Sequence, residues 1–255
     1  MKKEGRIFFT AVMFLTRLPV PKNIDHRPEY LQQAPRYFPV VGWIVGAFCS
    51  LAFLLFSRYV STDTGILASM ITGLLMTGCF HEDGFADVCD GLGGGWTKEK
   101  ILQIMKDSRI GAFGAIGLIA ILGSKFVLLK ENFFNYRHFI LALIVAHSFS
   151  RLMPVLVMQA GVYAADPNQS KAKALAGPSL SAGGLIVAIV LALLPFVFLP
   201  PVYLLLLLPS LYTTYALYRY FLKWIGGYTG DCLGAIQQVT EIVIYLGFIL
   251  IWRYL

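Results

Sequence analysis

Four acidic residues lie within nine positions of this chain, and the glycine-rich run Gly91–Gly95 follows them directly. The four are Glu82, Asp83, Asp87 and Asp90. In a helix the three aspartates stand at i, i+4 and i+7 and share one face. At about 6 Å and an effective dielectric constant of about 20, each pair of carboxylates repels by roughly 3 kcal/mol, so the face needs hydration, protonation or a shared cation. Because carboxylate oxygens suit Mg²⁺ or Mn²⁺ better than zinc, the window predicts a magnesium site formed by all four residues, with a solvated acidic loop as the alternative.

A second polar stretch opens a later apolar segment and contains Lys106, Asp107, Ser108 and Arg109. Backbone N–H groups and the helix dipole at a helix N-terminus favour phosphate, so this stretch is a candidate anion site. The same cations are equally typical of the positive flank that orients a membrane helix. Glycines recur beyond it at three-residue spacing, which is typical of close helix packing: Gly111, Gly114 and Gly117.

Charged residues also lie deep inside apolar segments. Arg151 sits about two turns inside one of them, with His147 one turn deeper, and burying an arginine there costs about 2.5 to 3.5 kcal/mol. We therefore expect Arg151 to face a polar cavity, with snorkelling to the interface as the alternative. The last apolar segment carries a polar stripe: Asp231, Gln238, Glu241 and Tyr245. We expect Asp231 to face the metal and substrate centre, and Glu241 to pair with Arg151.

The composition places these motifs in a membrane. The chain is 57% hydrophobic and 14% charged, and its apolar runs are long enough to cross about 30 Å of hydrocarbon. We predict an all-α, polytopic helical bundle with an N-terminal interfacial helix near Ile7–Leu15, forming a single transmembrane domain over residues 1–255. About seven spans are predicted, at Tyr37–Phe56, Thr64–Phe80, Ile110–Leu129, Phe139–Gln159, Leu180–Leu199, Val202–Phe221 and Cys232–Trp252.

The distribution of lysine and arginine predicts the orientation. They concentrate before the first span, between the second and third, between the fourth and fifth, and before the seventh, so these loops are expected on the cytoplasmic side of the inner membrane. The net charge of +7 is then explained by topology and anionic headgroups, and no nucleic-acid partner is expected. The four cysteines show no paired spacing, so neither a disulfide framework nor a zinc site is predicted.

Several runs carry a resemblance to one enzyme family, and they occur in order along almost the whole chain. They are the acidic window from Glu82 to Gly95, the run Met105–Gly114, the early run Phe14–Pro19 that contains Arg17, and Gly227–Ala235 together with Glu241. Together they resemble cobalamin-5′-phosphate synthase, also called adenosylcobinamide-GDP ribazoletransferase.

The resemblance implies a Mg²⁺-dependent transferase of late cobalamin biosynthesis, embedded in the membrane. In this family α-ribazole or its 5′-phosphate attacks the phosphoryl group attached to adenosylcobinamide and displaces GMP. Such a displacement needs metal, cationic groups for phosphate and a base for the attacking hydroxyl, which agrees with the residue types above. The predicted catalytic residues are Asp83, Asp87, Asp90 and Asp231. The predicted substrate and phosphate contacts are Arg17, the loop of Gly93, Gly94 and Gly95, the stretch of Lys106, Asp107, Ser108 and Arg109, and Arg151 with Glu241.

The expected partners are the two substrates and the lipid bilayer, and a second copy of the chain or another enzyme of the pathway is left open. Two other classes share the same motifs. A CDP-alcohol phosphotransferase or prenyltransferase also places aspartates around Mg²⁺ on membrane helices, and would release CMP or pyrophosphate instead of GMP. A secondary transporter would show two halves with acids at the midplane, whereas the acids here cluster at one surface.

Overall fold

The apolar runs of the sequence form helices, since a membrane-spanning chain must satisfy its backbone hydrogen bonds internally. The computed structural model describes residues 3–21, 27–164 and 180–255. Across these ranges the α-helices are α1 (Lys3–Leu15), α2 (Pro28–Gln33), α3 (Phe38–Tyr59), α4 (Thr62–Thr77), α5 (Phe80–Gly94), α6 (Lys98–Met105), α7 (Ala112–Glu131), α8 (Tyr136–Ala160), α9 (Ala182–Leu193), α10 (Leu207–Ile225) and α11 (Gly230–Tyr254). Short 3₁₀ segments lie at Ala34–Tyr37, Leu194–Phe198 and Pro201–Leu206.

The predicted all-α, polytopic architecture is confirmed for the described residues, and the count of seven spans is not. Five segments are long and apolar enough to cross a membrane, and the bent pair of α4 and α5 makes a sixth if it counts as one span. The five are Pro28–Tyr59, α7, α8, Pro201–Ile225 and α11. The remaining apolar segment, Ala182–Phe198, is shorter, and at about 1.5 Å per residue it falls short of about 30 Å of hydrocarbon.

The acidic window is helical, as predicted, but it does not continue the preceding span. The axes of α4 and α5 meet at 87°, and the bend is made by two consecutive residues in the left-handed region, Gly78 (φ 63°) and Cys79 (φ 59°). The end of α1 is tied to this bend because the Arg17 N–H donates to the Met76 carbonyl at 2.7 Å. The Arg17 side chain also packs directly on Gly78, where a β-carbon would collide with it.

Small residues allow α5 to lie close against two neighbouring helices. A β-carbon added to Gly84 would lie 2.9 Å from the Asp231 Cα in α11. On the other side, one added to Gly117 of α7 would lie 2.7 Å from the Cys89 Sγ. The close packing predicted from the three-residue glycine spacing is therefore confirmed.

The most enclosed helices are α8 and α11, while α7 and α10 expose much of their apolar surface. Phe53 of α3 stacks on Phe139 of α8 with ring centroids 3.9 Å apart. Ile116 and Ile119 of α7 are mostly exposed, as expected for side chains that face lipid. The bundle thus has a packed centre, and α5 lies beside it with its acidic residues.

Candidate active site

Three carboxylates converge where α5 meets the start of α11, and we call Asp83, Asp87 and Asp231 the acid cluster. Asp231 and Asp83, and after them Asp90, act electrostatically on Asp87, and Asp83 acts on Asp231. Asp83 is exposed, while Asp87 and Asp231 are half-buried. The contact at Gly84 brings the two backbones together, so this convergence follows from helix packing. Asp231 further accepts a hydrogen bond from the Thr229 hydroxyl at 3.3 Å, and the same hydroxyl caps α11 by accepting the Cys232 N–H.

Asp90 has a different environment from the acid cluster. It is buried, and its two oxygens accept the N–H groups of Gly111 at 2.7 Å and Gly114 at 2.8 Å. A β-carbon at either glycine would collide with the Asp90 carboxylate. Asp90 therefore caps the N-terminus of α7 from a neighbouring helix. The expectation that these two N–H groups bind a phosphate is wrong, since the Asp90 carboxylate already accepts both of them.

The stretch between α6 and α7 lies on the surface. Asp107 accepts hydrogen bonds from the backbone N–H and the guanidinium of Arg109, at 2.7 Å for Nη2. These hydrogen bonds lower the pKa of Asp107 to about 2. The Arg109 side chain is 86% exposed, and Lys106 and Ser108 are also exposed. The stretch therefore presents cations to solvent, and the Asp90 cap connects it to α5.

The glycines after the acidic window do not form the expected loop, because α5 continues through Gly94. The Phe113 ring lies 2.5 Å from where a β-carbon of Gly93 would be, and Ile101 lies 2.6 Å from that of Gly95. Both glycines thus serve close packing. Gly94 is less crowded, with the Ile104 Cδ1 at 3.4 Å.

A buried polar cluster lies on the inner side of α5, and it has contributions from four helices. We define it as Glu82, Lys125, His147, Arg151, Gln238 and Glu241. The Lys125 Nζ lies 3.1 Å from the Glu241 Oε1 and donates to the Gln238 Oε1 at 3.0 Å. The lysine and the glutamate are 6% and 1% exposed.

The expected ion pair between Arg151 and Glu241 is wrong, because Lys125 is the cation that pairs with Glu241. Arg151 instead donates to the His147 carbonyl at 2.8 Å, and it is 2% exposed. It does line a cavity, whose walls carry both charged and apolar side chains, and Glu82 and Glu241 both act on it electrostatically. Sequence reasoning missed Lys125, although a lysine inside the apolar run Ile110–Leu129 was a signal of the same kind as Arg151.

Glu82 belongs to the buried polar cluster and not to the acid cluster. It is 8% exposed, and its Oε1 accepts a hydrogen bond from the Gln238 Nε2 at 2.9 Å. Successive helical residues point about 100° apart, so Glu82 is buried while Asp83 is exposed.

The donor chemistry of the acid cluster fits magnesium. Within residues 3–21, 27–164 and 180–255, no three His, Cys, Asp or Glu side chains form a ready-made metal site. Mg²⁺, however, is usually held by one or two carboxylates together with substrate phosphates and water. Two or three partly open carboxylates meet that requirement, and the magnesium ion itself stays a prediction.

Fold and site together define a polytopic helical membrane protein with a carboxylate centre on α5 and α11 and exposed cations near the two ends of α5. The model of the family described as cobalamin-5-phosphate synthase matches residues 7–249. The chain belongs to this family.

Curated relatives are similar along almost the whole chain, and those compared carry the name adenosylcobinamide-GDP ribazoletransferase. The relative from Leptospira interrogans is 41% identical and covers 99% of this chain and 98% of its own. Those from Shewanella piezotolerans and Vibrio cholerae are 42% and 38% identical over 96% of this chain, and over 95% and 94% of theirs. No solved structure matches the chain.

Proposed function

We propose that this protein is an adenosylcobinamide-GDP ribazoletransferase of late cobalamin biosynthesis. The observation that carries the proposal is the similarity to relatives of that name over nearly the full length of both chains. The acid cluster supports it, because displacement at a phosphoryl group requires charge neutralisation and a proton acceptor at one place.

In the proposed reaction, a hydroxyl oxygen of α-ribazole or its 5′-phosphate forms a bond to the phosphorus attached to adenosylcobinamide. The bond from that phosphorus to the bridging oxygen breaks, and GMP leaves with this oxygen. A bound Mg²⁺ would neutralise charge on the transferring phosphoryl group. Asp83 and Asp87 would hold it, and Asp231 is positioned beside them to accept the hydroxyl proton.

The phosphates would be bound by exposed cations near the two ends of α5. Arg17 lies at the bend where α5 begins, and Lys106 and Arg109 lie on the surface stretch that the Asp90 cap connects to α5. Arg151 is removed from this role because it is buried and bonded to His147. We place this centre on the cytoplasmic side of the inner membrane, and the lysine and arginine distribution supports that placement.

The test is release of GMP by the purified protein from adenosylcobinamide-GDP, α-ribazole phosphate and Mg²⁺. Asp87→Asn should remove most turnover and leave the unfolding midpoint in detergent near that of the wild type, since Asp87 is half-buried and serves the reaction. Asp90→Asn is the comparison variant. It should lower the midpoint, because the asparagine Nδ2 cannot accept an N–H, so Gly111 or Gly114 loses its partner at a cost of about 1 to 3 kcal/mol.

Release of CMP or pyrophosphate from other donors, with no GMP, would replace the proposal with one of the alternative transferase classes. Near-normal turnover of Asp87→Asn at limiting Mg²⁺ would refute the metal assignment while leaving the overall reaction in place.

A further inference from the structure

The buried polar cluster contains the residue next to the acid cluster in sequence. Glu82 and Asp83 are neighbours in α5, and they point to different sides of that helix. Any interaction that fixes the direction of Glu82 therefore also fixes the direction of Asp83, and of Asp87 one turn later.

A chain of hydrogen bonds fixes Glu82 to two other helices. The Gln238 Nε2 of α11 donates to the Glu82 Oε1 at 2.9 Å, and the Gln238 Oε1 accepts from the Lys125 Nζ of α7 at 3.0 Å. Lys125 is held in turn by Glu241. Since α11 also carries Asp231, the chain of contacts ties the rotation of α5 to the helix that bears the third carboxylate.

Glu82 also lines a cavity beside the buried polar cluster. The cavity volume that the centres of water molecules can occupy is about 30 Å³, and this is room for about two waters. Arg151 lines the same cavity, and the buried Glu82 Oε2 and Arg151 Nε make no hydrogen bond within the described parts of the chain. One is an acceptor and the other a donor, so water in the cavity would satisfy both, and one water would do so if it bridged them.

The charges of the buried polar cluster balance. Glu82 and Glu241 are matched by Lys125 and Arg151, so a further cation would not be favoured in the cavity. The charge balance favours neutral water as the occupant of the cavity. Because Glu82 interacts with this cluster on the inner side of α5, it does not serve as a magnesium ligand on the opposite side of that helix.

We propose that Glu82 is a positioning residue: held by Gln238, and by Arg151 through water, it fixes the rotation of α5 so that Asp83 and Asp87 face Asp231. This role rests on the proposed function. It replaces the sequence-based assignment of Glu82 as a magnesium ligand.

The experiment compares Glu82→Gln with the double variant Glu82→Gln, Gln238→Glu. The double variant exchanges the carboxylate and the amide across the same hydrogen bond and keeps the net charge. We would measure kcat for GMP release, the unfolding midpoint in detergent, and the Mn²⁺ dissociation constant by electron paramagnetic resonance with GMP present. Glu29→Gln, an exposed site in α2, is the matched control and should behave like the wild type in all three.

For Glu82→Gln we expect kcat to fall by about tenfold or more and the Mn²⁺ dissociation constant to rise by about tenfold, because misplaced ligands weaken both. The exchanged pair should recover most of both values, which a direct metal ligand at position 82 would not allow. A folded double variant that stays as impaired as Glu82→Gln overturns the proposal, as does a Glu82→Gln variant with wild-type values.

If the exchanged pair does not fold, Gln238→Met tests the positioning role instead. This change removes the hydrogen bond that Gln238 donates to Glu82, and Gln238 is not part of the acid cluster. A weaker Mn²⁺ affinity in that variant supports the positioning role, and an unchanged one refutes it. The activity of the wild type distinguishes a failure of the proposed function from a failure of the positioning role alone. A wild type that releases no GMP refutes the proposed function and the positioning role with it, whereas an active wild type with unaffected variants refutes the positioning role alone.

Discussion

Lys125 and Glu241 form a buried ion pair at the centre of the bundle. Both side chains are buried, and the Glu241 carboxylate also accepts hydrogen bonds from Gln237 at 2.8 Å and Tyr245 at 3.2 Å. A buried ion pair adds little net stability compared with apolar residues, but removing one partner leaves an uncompensated charge in a region of low dielectric constant.

We therefore expect Lys125→Met and Glu241→Gln each to lower the free energy of unfolding by about 3 to 5 kcal/mol. The double variant should lose clearly less than the sum, because it buries no unpaired charge. Denaturant unfolding in detergent measures the cycle. A parallel cycle with Arg151→Met is the control and should show weaker coupling to Glu241. Strictly additive losses for Lys125 and Glu241 would contradict the pairing.

At the scale of elements, the sequence predicted most helices because an apolar run long enough for a membrane has few other structures available. The boundaries of α3, α7, α8 and α11 lie within a few residues of those expected. The bend before α5 was not predictable in the same way, since Cys79 in the left-handed region is unusual for a residue other than glycine or asparagine. Its direction depends on packing against α1 and α11.

The composition of the candidate site was predicted better than its arrangement. Periodicity placed Asp83, Asp87 and Asp90 on one face of a helix, but which neighbour meets each carboxylate depends on how helices distant in sequence pack. Asp90 meets the start of α7, and Asp231 meets Gly84. The partner of Glu241 was mistaken for the same reason, because Lys125 and Arg151 are both deep cations and only their packing distinguishes them.

The contact of α5 with α11 at Gly84 gives a prediction at this scale. Gly84→Ala would place a methyl group 2.9 Å from the Asp231 Cα and 3.0 Å from its carbonyl oxygen. Backbone atoms cannot rotate away as side chains do, so the two helices must separate. We expect a loss of about 1 to 3 kcal/mol in stability and of ten- to a hundredfold in turnover, on the order of what such a displacement costs.

Gly123→Ala is the matched control for this change. Gly123 lies within α7, and a β-carbon there would meet no atom within 4 Å. Since alanine is favoured over glycine in a helix by up to about 1 kcal/mol, this variant should be neutral or slightly more stable. Equal behaviour of the two variants in GMP release and unfolding would show that the contact at Gly84 does not determine the geometry of the acid cluster.

In the whole molecule, connections that alternate along the chain lie at the same end of the bundle, as spans of alternating direction require. Lys130, in the last turn of α7, pairs with Asp63, at the start of α4, at 2.8 Å. Arg253 near the C-terminus pairs with Glu131. The connections after α3 and after α7, which the predicted topology places outside the cell, thus lie at one end of the bundle, together with the end of α11.

The opposite grouping involves segments predicted to be cytoplasmic. Tyr163, which follows α8, and Tyr228, which precedes α11, form a backbone bridge, with the Ala164 N–H donating to the Tyr228 carbonyl at 2.9 Å. Of the predicted loop from Ala160 to Ser179, the structure describes residues 160–164. These contacts support a common end for the two segments, and the side of the membrane that this end faces stays a prediction.

Single cysteines introduced into a cysteine-free background test that orientation. Trp96 lies between α5 and α6, Glu99 lies at the start of α6, and both are exposed. A cysteine at either position should react with a membrane-impermeant maleimide only from the cytoplasmic side. Val60, which is 65% exposed between α3 and α4, is the matched control and should react only from outside. Intact cells and inside-out vesicles distinguish the two directions. Because Lys98 and Lys100 flank these sites, positive-inside orientation gives this result. Labelling of Trp96 from outside would invert the bundle and place the acid cluster away from substrates made in the cytosol.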